Sequence, residues 1–264
     1  MASGTQERWE AYGKDALEGI KAAPARFLVN ALPRARLPIR QDLMKQLGDL
    51  RGKAVLDLGC GRGEFSIWLA KLGARVTAVD LGAPLLEAAR SRAALNGVSC
   101  DFQQADIVSL PFPAGTFDAV IGLSILHHLS QADVRRAVAE CHRVLRENGS
   151  AFFTEPVENS RVFDLIQNLL PAPGEPARPS ILQRAKWKKW LAGLDDRVMS
   201  DSELRSAGTA FSEIHLRHHG LTIRLARLFG HEWTARLGRL DRWLLETLPW
   251  LARYSQSALV RYIK

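Results

Sequence analysis

Residues 55–63 read Val-Leu-Asp-Leu-Gly-Cys-Gly-Arg-Gly, an apolar run entering a turn with glycine at every second position. Glu64-Phe-Ser-Ile-Trp-Leu-Ala-Lys71 follows as the opening of a helix, and Ala74-Arg-Val-Thr-Ala-Val-Asp80 as a second strand ending on an acid. Strand, glycine turn, helix, strand and acid in that order describe a nucleotide-type site at the start of a doubly wound α/β sheet. Glycine lets the backbone pass close to a ligand and take positive φ without Cβ strain.

The acids narrow the ligand. Asp57 stands two residues before the first glycine and would repel a pyrophosphate there. It suits a ligand that offers an ammonium group and no phosphate, as S-adenosylmethionine does. Asp80 suits a ribose diol, since one carboxylate accepts both hydroxyl protons. By the same reasoning an NAD-dependent oxidoreductase is disfavoured.

Five ordered blocks resemble the class I S-adenosylmethionine-dependent methyltransferases of the small-molecule, type 11-like kind. They are residues 55–63; Val79-Asp-Leu-Gly82; Gln104-Ala-Asp-Ile107 with Leu110-Pro-Phe-Pro-Ala-Gly-Thr-Phe-Asp118; Ser124-Ile-Leu-His-His-Leu129; and residues 140–149 with Ala151-Phe-Phe-Thr-Glu155. The resemblance spans residues 50–156. It implies a Rossmann-like sheet of seven strands, mostly parallel with an antiparallel last strand, and helical additions forming a lid. It implies S-adenosyl-L-methionine as cofactor and S-adenosyl-L-homocysteine as product. It further implies that Gly59, Gly61 and Gly63, with Cys60 between them, wrap the methionine part and that Asp57 helps hold its amino group. Asp80 would bind the ribose, Leu81 the adenine face, Asp106 the adenine amine backed by Ile107, and Ser124 would lie beside the methionine tail.

Composition agrees with a globular protein: 47% hydrophobic and 24% charged over 264 residues. Cys60, Cys100 and Cys141 are too scattered for a metal site or a disulfide framework. No metal is expected. No stretch approaches the ~20 apolar residues of a membrane span, and the first ten residues lack an apolar signal core, so a cytoplasmic protein is expected. Charge is uneven. Residues 1–156 hold 19 basic and 17 acidic residues, residues 157–264 hold 17 and 11.

Periodicity predicts helices over 6–21, 38–50, 62–72, 83–96 and 131–146, and strands over 54–58, 75–80, 99–104, 118–123 and 150–154. Alternation of the two implies a parallel sheet. Residues 171–179 form a Pro-rich connection between expected helices over 161–170 and 181–191. Ser200-x-x-Glu203 reads as a capping box. Strands over 211–216 and 258–263 are expected to pair at the sheet edge, with helices over 221–248 inserted between them. Three regions follow: N-terminal helices over 1–50 as a lid, the cofactor core over 51–156, and substrate-lid insertions with the last strand pair over 157–264.

His127 and His128, just after the fourth strand, are candidate bases, and Glu155 is a further candidate at the rim. A catalytic base is needed only where the acceptor must lose a proton. Trp9 and Tyr12 are candidates to close over the cofactor. His215, Arg217, His218 and His219 could face an anionic substrate or stand as a solvated turn. Five of the seven tryptophans (Trp187, Trp190, Trp233, Trp243, Trp250) fall in the C-terminal helical segments, where spacing predicts core or an apolar acceptor pocket. The interspersed arginines leave open peripheral contact with an anionic membrane. The expected reaction is methyl transfer by in-line displacement to a small, hydrophobic O-, N- or C-acceptor, lipid-like or natural-product in kind. An RNA or protein methyltransferase, or a cofactor-binding protein without methyl transfer, stands as the alternative. Nucleic acid is disfavoured, because Gly122-Leu-Ser-Ile-Leu-His-His128 is not the Asn-Pro-Pro-aromatic pattern of nucleic-acid amino methylation. The oligomeric state stays open.

Overall fold

The computed structural model describes residues 3–32, 37–157, 197–222 and 233–264, with side chains in the first helix from Glu10 onward. The elements are α1 (Ser3–Ala22), α2 (Pro38–Leu47), β1 (Ala54–Leu58), α3 (Glu64–Lys71), β2 (Arg75–Asp80), α4 (Ala83–Leu95), β3 (Asp101–Gln104), β4 (Phe117–Leu123), α5 (Gln131–Val144), β5 (Leu145–Pro156), α6 (Asp201–Ala207), β6 (Glu213–His219), α7 (Thr234–Thr247) and β7 (Ser257–Ile263). The expected helices over 161–170 and 181–191, the Pro-rich connection, Trp187, Trp190 and the Trp9 side chain lie outside the described residues.

The seven strands form one sheet in the order β3-β2-β1-β4-β5-β7-β6. β1 pairs parallel with β2 and β4, and β4 with β5. β7 enters antiparallel between β5 and β6. The expected antiparallel last strand and edge pairing are therefore present, with helix between β6 and β7.

Strand alternation sorts side chains to two cores. Leu56, Leu58, Val120, Phe153 and Val260 join the α5–α6 side. Val55, Ile121, Phe152 and Leu259 join α2, α3 and α4 on the other. A sheet covered on both faces explains why its central strands read as unbroken apolar runs.

Most boundaries differ from the sequence reading by a few residues, and two of the shifts have a clear packing cause. The fifth helix stops at Val144, and β5 begins at Leu145 rather than Ser150. Leu145 is fully buried and pairs with Phe117, so burial overrides a helical pattern that would carry on to Arg146. β6 begins at Glu213, not Phe211. The Phe211 ring instead stacks on Tyr262 at 5.1 Å and meets His142 edge-on at 4.9 Å. The cap at Ser200 is present: its Oγ accepts the Glu203 N–H at 3.2 Å. The Glu203 side chain turns to Arg197 at 2.6 and 2.7 Å rather than closing the box.

Tyr262 pins α6 to the sheet. It is fully buried, and its hydroxyl donates to the Leu204 carbonyl at 2.6 Å. Tyr262→Phe is expected to cost ~1–3 kcal/mol by stranding a buried acceptor. A urea midpoint unchanged from the parent would contradict that role.

Candidate active site

Strand order reverses between β1 and β4, and in such sheets the crevice at the carboxyl ends of these strands is where ligands bind. The loops after both strands meet there. Gly59 takes φ +64°, and a Cβ on it would lie 2.5 Å from Ile125 Cδ1 in the β4 loop. Gly63 (φ +70°) is closed off less tightly by Ala89 at 2.9 Å and Phe102 at 3.0 Å, whereas the Cβ direction of Gly61 (φ +52°) is open space. The turn is thus locked at both ends and open in the middle.

Loop amides are used internally. Cys60 N–H donates to the Val79 carbonyl (3.0 Å), Gly61 N–H to Asp80 Oδ2 (2.9 Å) and Gly63 N–H to the Cys60 carbonyl (3.0 Å). Asp80 Oδ1 accepts the Gly82 N–H at 2.9 Å. Burial raises the Asp80 carboxyl above its ordinary value, opposed by the N–H groups of Gly82, Gly61 and Leu81.

Asp57 is 2% exposed and accepts from Ser66 Oγ at 2.5 Å. Burial pushes its carboxyl up to about 7, against the Ser66 hydrogen bond and the Arg40 charge, with Asp80 adding to the rise. Ser66 and Arg40 were missed in the sequence. Ser66 lies one turn into the helix behind the glycines, on the face toward β1, and helical spacing could have found it. Arg40 comes from α2, with no local signal. Cys60 is a small loop residue whose thiol burial pushes well above its usual range, which leaves it a poor nucleophile.

The other expected residues gather at the same edge. Leu81 is exposed just past Asp80. Asp106 is exposed and caps its own turn by accepting the Val108 N–H at 3.1 Å, while Ile107 is buried beneath. Ser124 is exposed at φ +59°, held by its N–H on the Thr154 carbonyl at 2.8 Å. A left-handed non-glycine residue is uncommon and marks a constrained turn. Tyr12 of α1 lays its ring on the Arg62 guanidinium at 4.1 Å. A Cβ on Gly13 would fall 2.6 Å from Pro84, so α1 crosses directly over the start of α4 beside the loop.

Glu155 is not at the rim. It is 1% exposed, and Oε1 accepts the N–H groups of Ile125 (3.0 Å) and Leu126 (2.9 Å). Oε2 accepts His127 Nδ1–H at 2.7 Å. The carboxylate caps the start of the turn Leu126–His128, where the buried Leu126 amide would otherwise lack a partner. His127 is itself buried at 7% exposure, and the half-buried His128 ring lies against it with centroids 4.0 Å apart. Of the three acid–base candidates, only His128 is more than marginally open to solvent. His215, His218 and His219 pair with Glu213, Asp201 and Asp42 at 2.8, 3.0 and 3.2 Å. They make an array of hydrogen-bonded histidine–acid contacts at the edge strand, set apart from β1 and its glycine loop by β4, β5 and β7.

Two outcomes follow. Glu155→Ala leaves buried amides and His127 without an acceptor and is expected to cost ~3–5 kcal/mol in urea unfolding. Asp57 has a folded pKa above its unfolded one, so its stabilising protonated form is lost as pH rises from about 4 to about 7. Stability relative to Asp57→Asn should fall by of order 4 kcal/mol across that window and level off above it. Parallel melting curves of the two proteins at every pH would contradict the shift.

A methyltransferase-domain family pattern matches residues 55–149. The chain is 36% identical over 118 residues to the ubiquinone biosynthesis O-methyltransferase of Nitrosococcus oceani, covering 44% of this chain and 49% of that protein. It is 30% identical over 197 residues to the Marinobacter nauticus protein of the same name, covering 71% of each. Matches of the first kind span about half the length of those relatives. The fold is that of the S-adenosylmethionine-dependent methyltransferase of Mesorhizobium loti, at TM-score 0.56 and 24% identity over 86% of this chain and 98% of that one. With 71% of its length matched at 30% identity, and with the fold and glycine loop described above, the chain belongs to the class I S-adenosylmethionine-dependent methyltransferases.

Proposed function

We propose that the protein binds S-adenosylmethionine at the β1–β4 crevice and transfers its methyl group to the oxygen of a small, hydrophobic, hydroxyl-bearing acceptor. The observation that carries the ligand class is the use of the loop amides. Cys60, Gly61 and Gly63 give their N–H groups to Val79, Asp80 and Cys60, so none of the three is left for a phosphate. Two carboxylates face the same turn instead. That donor set fits a cation and a diol and disfavours a dinucleotide. The names of the relatives favour oxygen as the acceptor atom.

When bound, the cofactor supplies an electrophilic methyl group on a sulfonium. In this reading Asp57 holds the ammonium, Asp80 the ribose diol through its remaining lone pairs, and Leu81, Asp106 and Ile107 the adenine. The open Cβ direction of Gly61 admits the methionine portion, and Ser124 flanks it. His128 accepts the acceptor's hydroxyl proton. His127 and Glu155 are positioning residues: the Glu155–Nδ1 bond orients the imidazole against which His128 rests. α1 excludes water over the loop. Holding the reacting groups aligned in a dry site is worth up to ~7–11 kcal/mol.

Two measurements test this reading. Asp57 must be ionised to hold an ammonium, so cofactor affinity should climb by up to about tenfold per pH unit below 7 and flatten above it. Calorimetry showing an affinity constant from pH 5.5 to 8 would contradict that role. Transfer of labelled methyl to hydroxyl-bearing acceptors, with Asp80→Ala reducing cofactor affinity ~10–100-fold, would support the reaction. Labelling of amines but of no hydroxyl acceptor would overturn the oxygen assignment.

A further inference from the structure

The helix between β6 and β7 does not bury the residues its sequence favours for burial. α7 turns Thr234, Leu237, Gly238 and Asp241 inward. A Cβ on Gly238 would meet Pro38 of α2 at 2.5 Å, and buried Asp241 accepts the N–H groups of Gly220 and Thr222. These contacts fix the helix's rotation. At 3.6 residues per turn the outward arc then carries Trp233, Arg236, Arg239, Leu240, Arg242 and Trp243 together with Ala235, Glu246 and Thr247, with Trp243 at its centre and 59% exposed. The 3₁₀ turn Pro249–Tyr254 extends the surface with Trp250, 58% exposed, and with exposed Leu248 and Arg253. The expectation that these tryptophans are core is thereby corrected.

Single exposed apolar residues are ordinary, but five large ones within residues 233–250 are not. The stretch 233–254 carries four arginines against two acids, and one of those acids, Asp241, is buried. Arg236 also lies over the Trp233 ring at 5.0 Å. Tryptophan and leucine ringed by arginine is the composition of a helix lying in the interface of an anionic bilayer. An acidic protein partner would want the charge without three exposed indoles. No described helix is long and apolar enough to cross a membrane, so the contact is peripheral.

The position of this surface bears on the site. Ser257, where the turn enters β7, pairs with Pro156 and His219. Gln256 accepts the Val157 N–H. The turn therefore meets the sheet at the carboxyl ends of β5 and β6, the same edge as the glycine loop and Ser124.

We infer that α7 and the following 3₁₀ turn are a docking surface for an anionic lipid bilayer, which sets the carboxyl edge of the sheet toward the membrane. This inference deepens the proposed function, since a docked enzyme would draw an amphiphilic acceptor from the bilayer. The docking itself is tested apart from turnover.

The full chain is floated with vesicles of phosphatidylcholine alone and of an equal mixture with phosphatidylglycerol, at low and high salt, while tryptophan emission is followed. Binding is expected for the anionic vesicles only, with a blue shift, and to be lost at high salt. The double variant Trp243→Ala, Trp250→Ala should lower partitioning by at least roughly tenfold. Arg239→Gln and Arg242→Gln should each lower it about fivefold. All four positions are exposed, so circular dichroism and cofactor calorimetry should match the parent. Those controls separate a failure of docking from a failure of the cofactor reading. The inference is overturned by equal binding to neutral vesicles, or by anionic binding that these variants leave intact. Self-association abolished by Trp243→Ala in sedimentation velocity would assign the surface to a second copy and overturn it likewise.

Discussion

The carboxylate of Asp80 holds the site together. It sits at the end of β2, accepts the Gly61 N–H across the β1–β2 boundary with one oxygen, and caps the approach to α4 through Gly82 with the other. Without it the middle glycine of the turn would have a free N–H, and only the Cys60 N–H on the Val79 carbonyl would tie the loop to the neighbouring strand. Because it takes that amide for itself, the turn presents carboxylate rather than amide to a ligand. In the proposed function, the same glycine spacing that elsewhere cradles phosphate is thereby turned toward a cation.

A second carboxylate performs the matching task across the crevice. Glu155 reaches from β5 to gather the first amides of the turn after β4 and then the imidazole of His127. A buried acid engaged on every side fixes where neighbouring groups stand. The two loops that flank the crevice thus each hang from one acid on an adjacent strand. The close approach of Gly59 to Ile125 locks them against each other.

The ordered core was largely legible because its signals are local. β1 and β2 fall on the residues predicted, since a continuous apolar run ending in a glycine turn or an acid admits few other folds. What escaped depended on distant residues. Leu145 leaves its helix because Phe117 buries it. Glu155 caps amides some thirty residues away, and sequence spacing does not announce such a bond. Arg40 biases Asp57 from a helix outside the recognisable motif. Trp233, Trp243 and Trp250, in and around α7, have the spacing of a core stripe. Their exposure is decided by Gly238 packing on Pro38 and by Asp241 turning inward, neither of which is visible along the helix alone.

If the glycine turn is built for a cationic, phosphate-free nucleoside, ligand choice reports on it directly. The decisive measurement is calorimetric titration of the protein with S-adenosylmethionine, S-adenosylhomocysteine and NAD under one set of conditions. The account predicts saturable binding of both sulfur ligands and none of the dinucleotide. Binding of NAD in their place would contradict it, since a pyrophosphate would then sit where Asp57 and Asp80 converge.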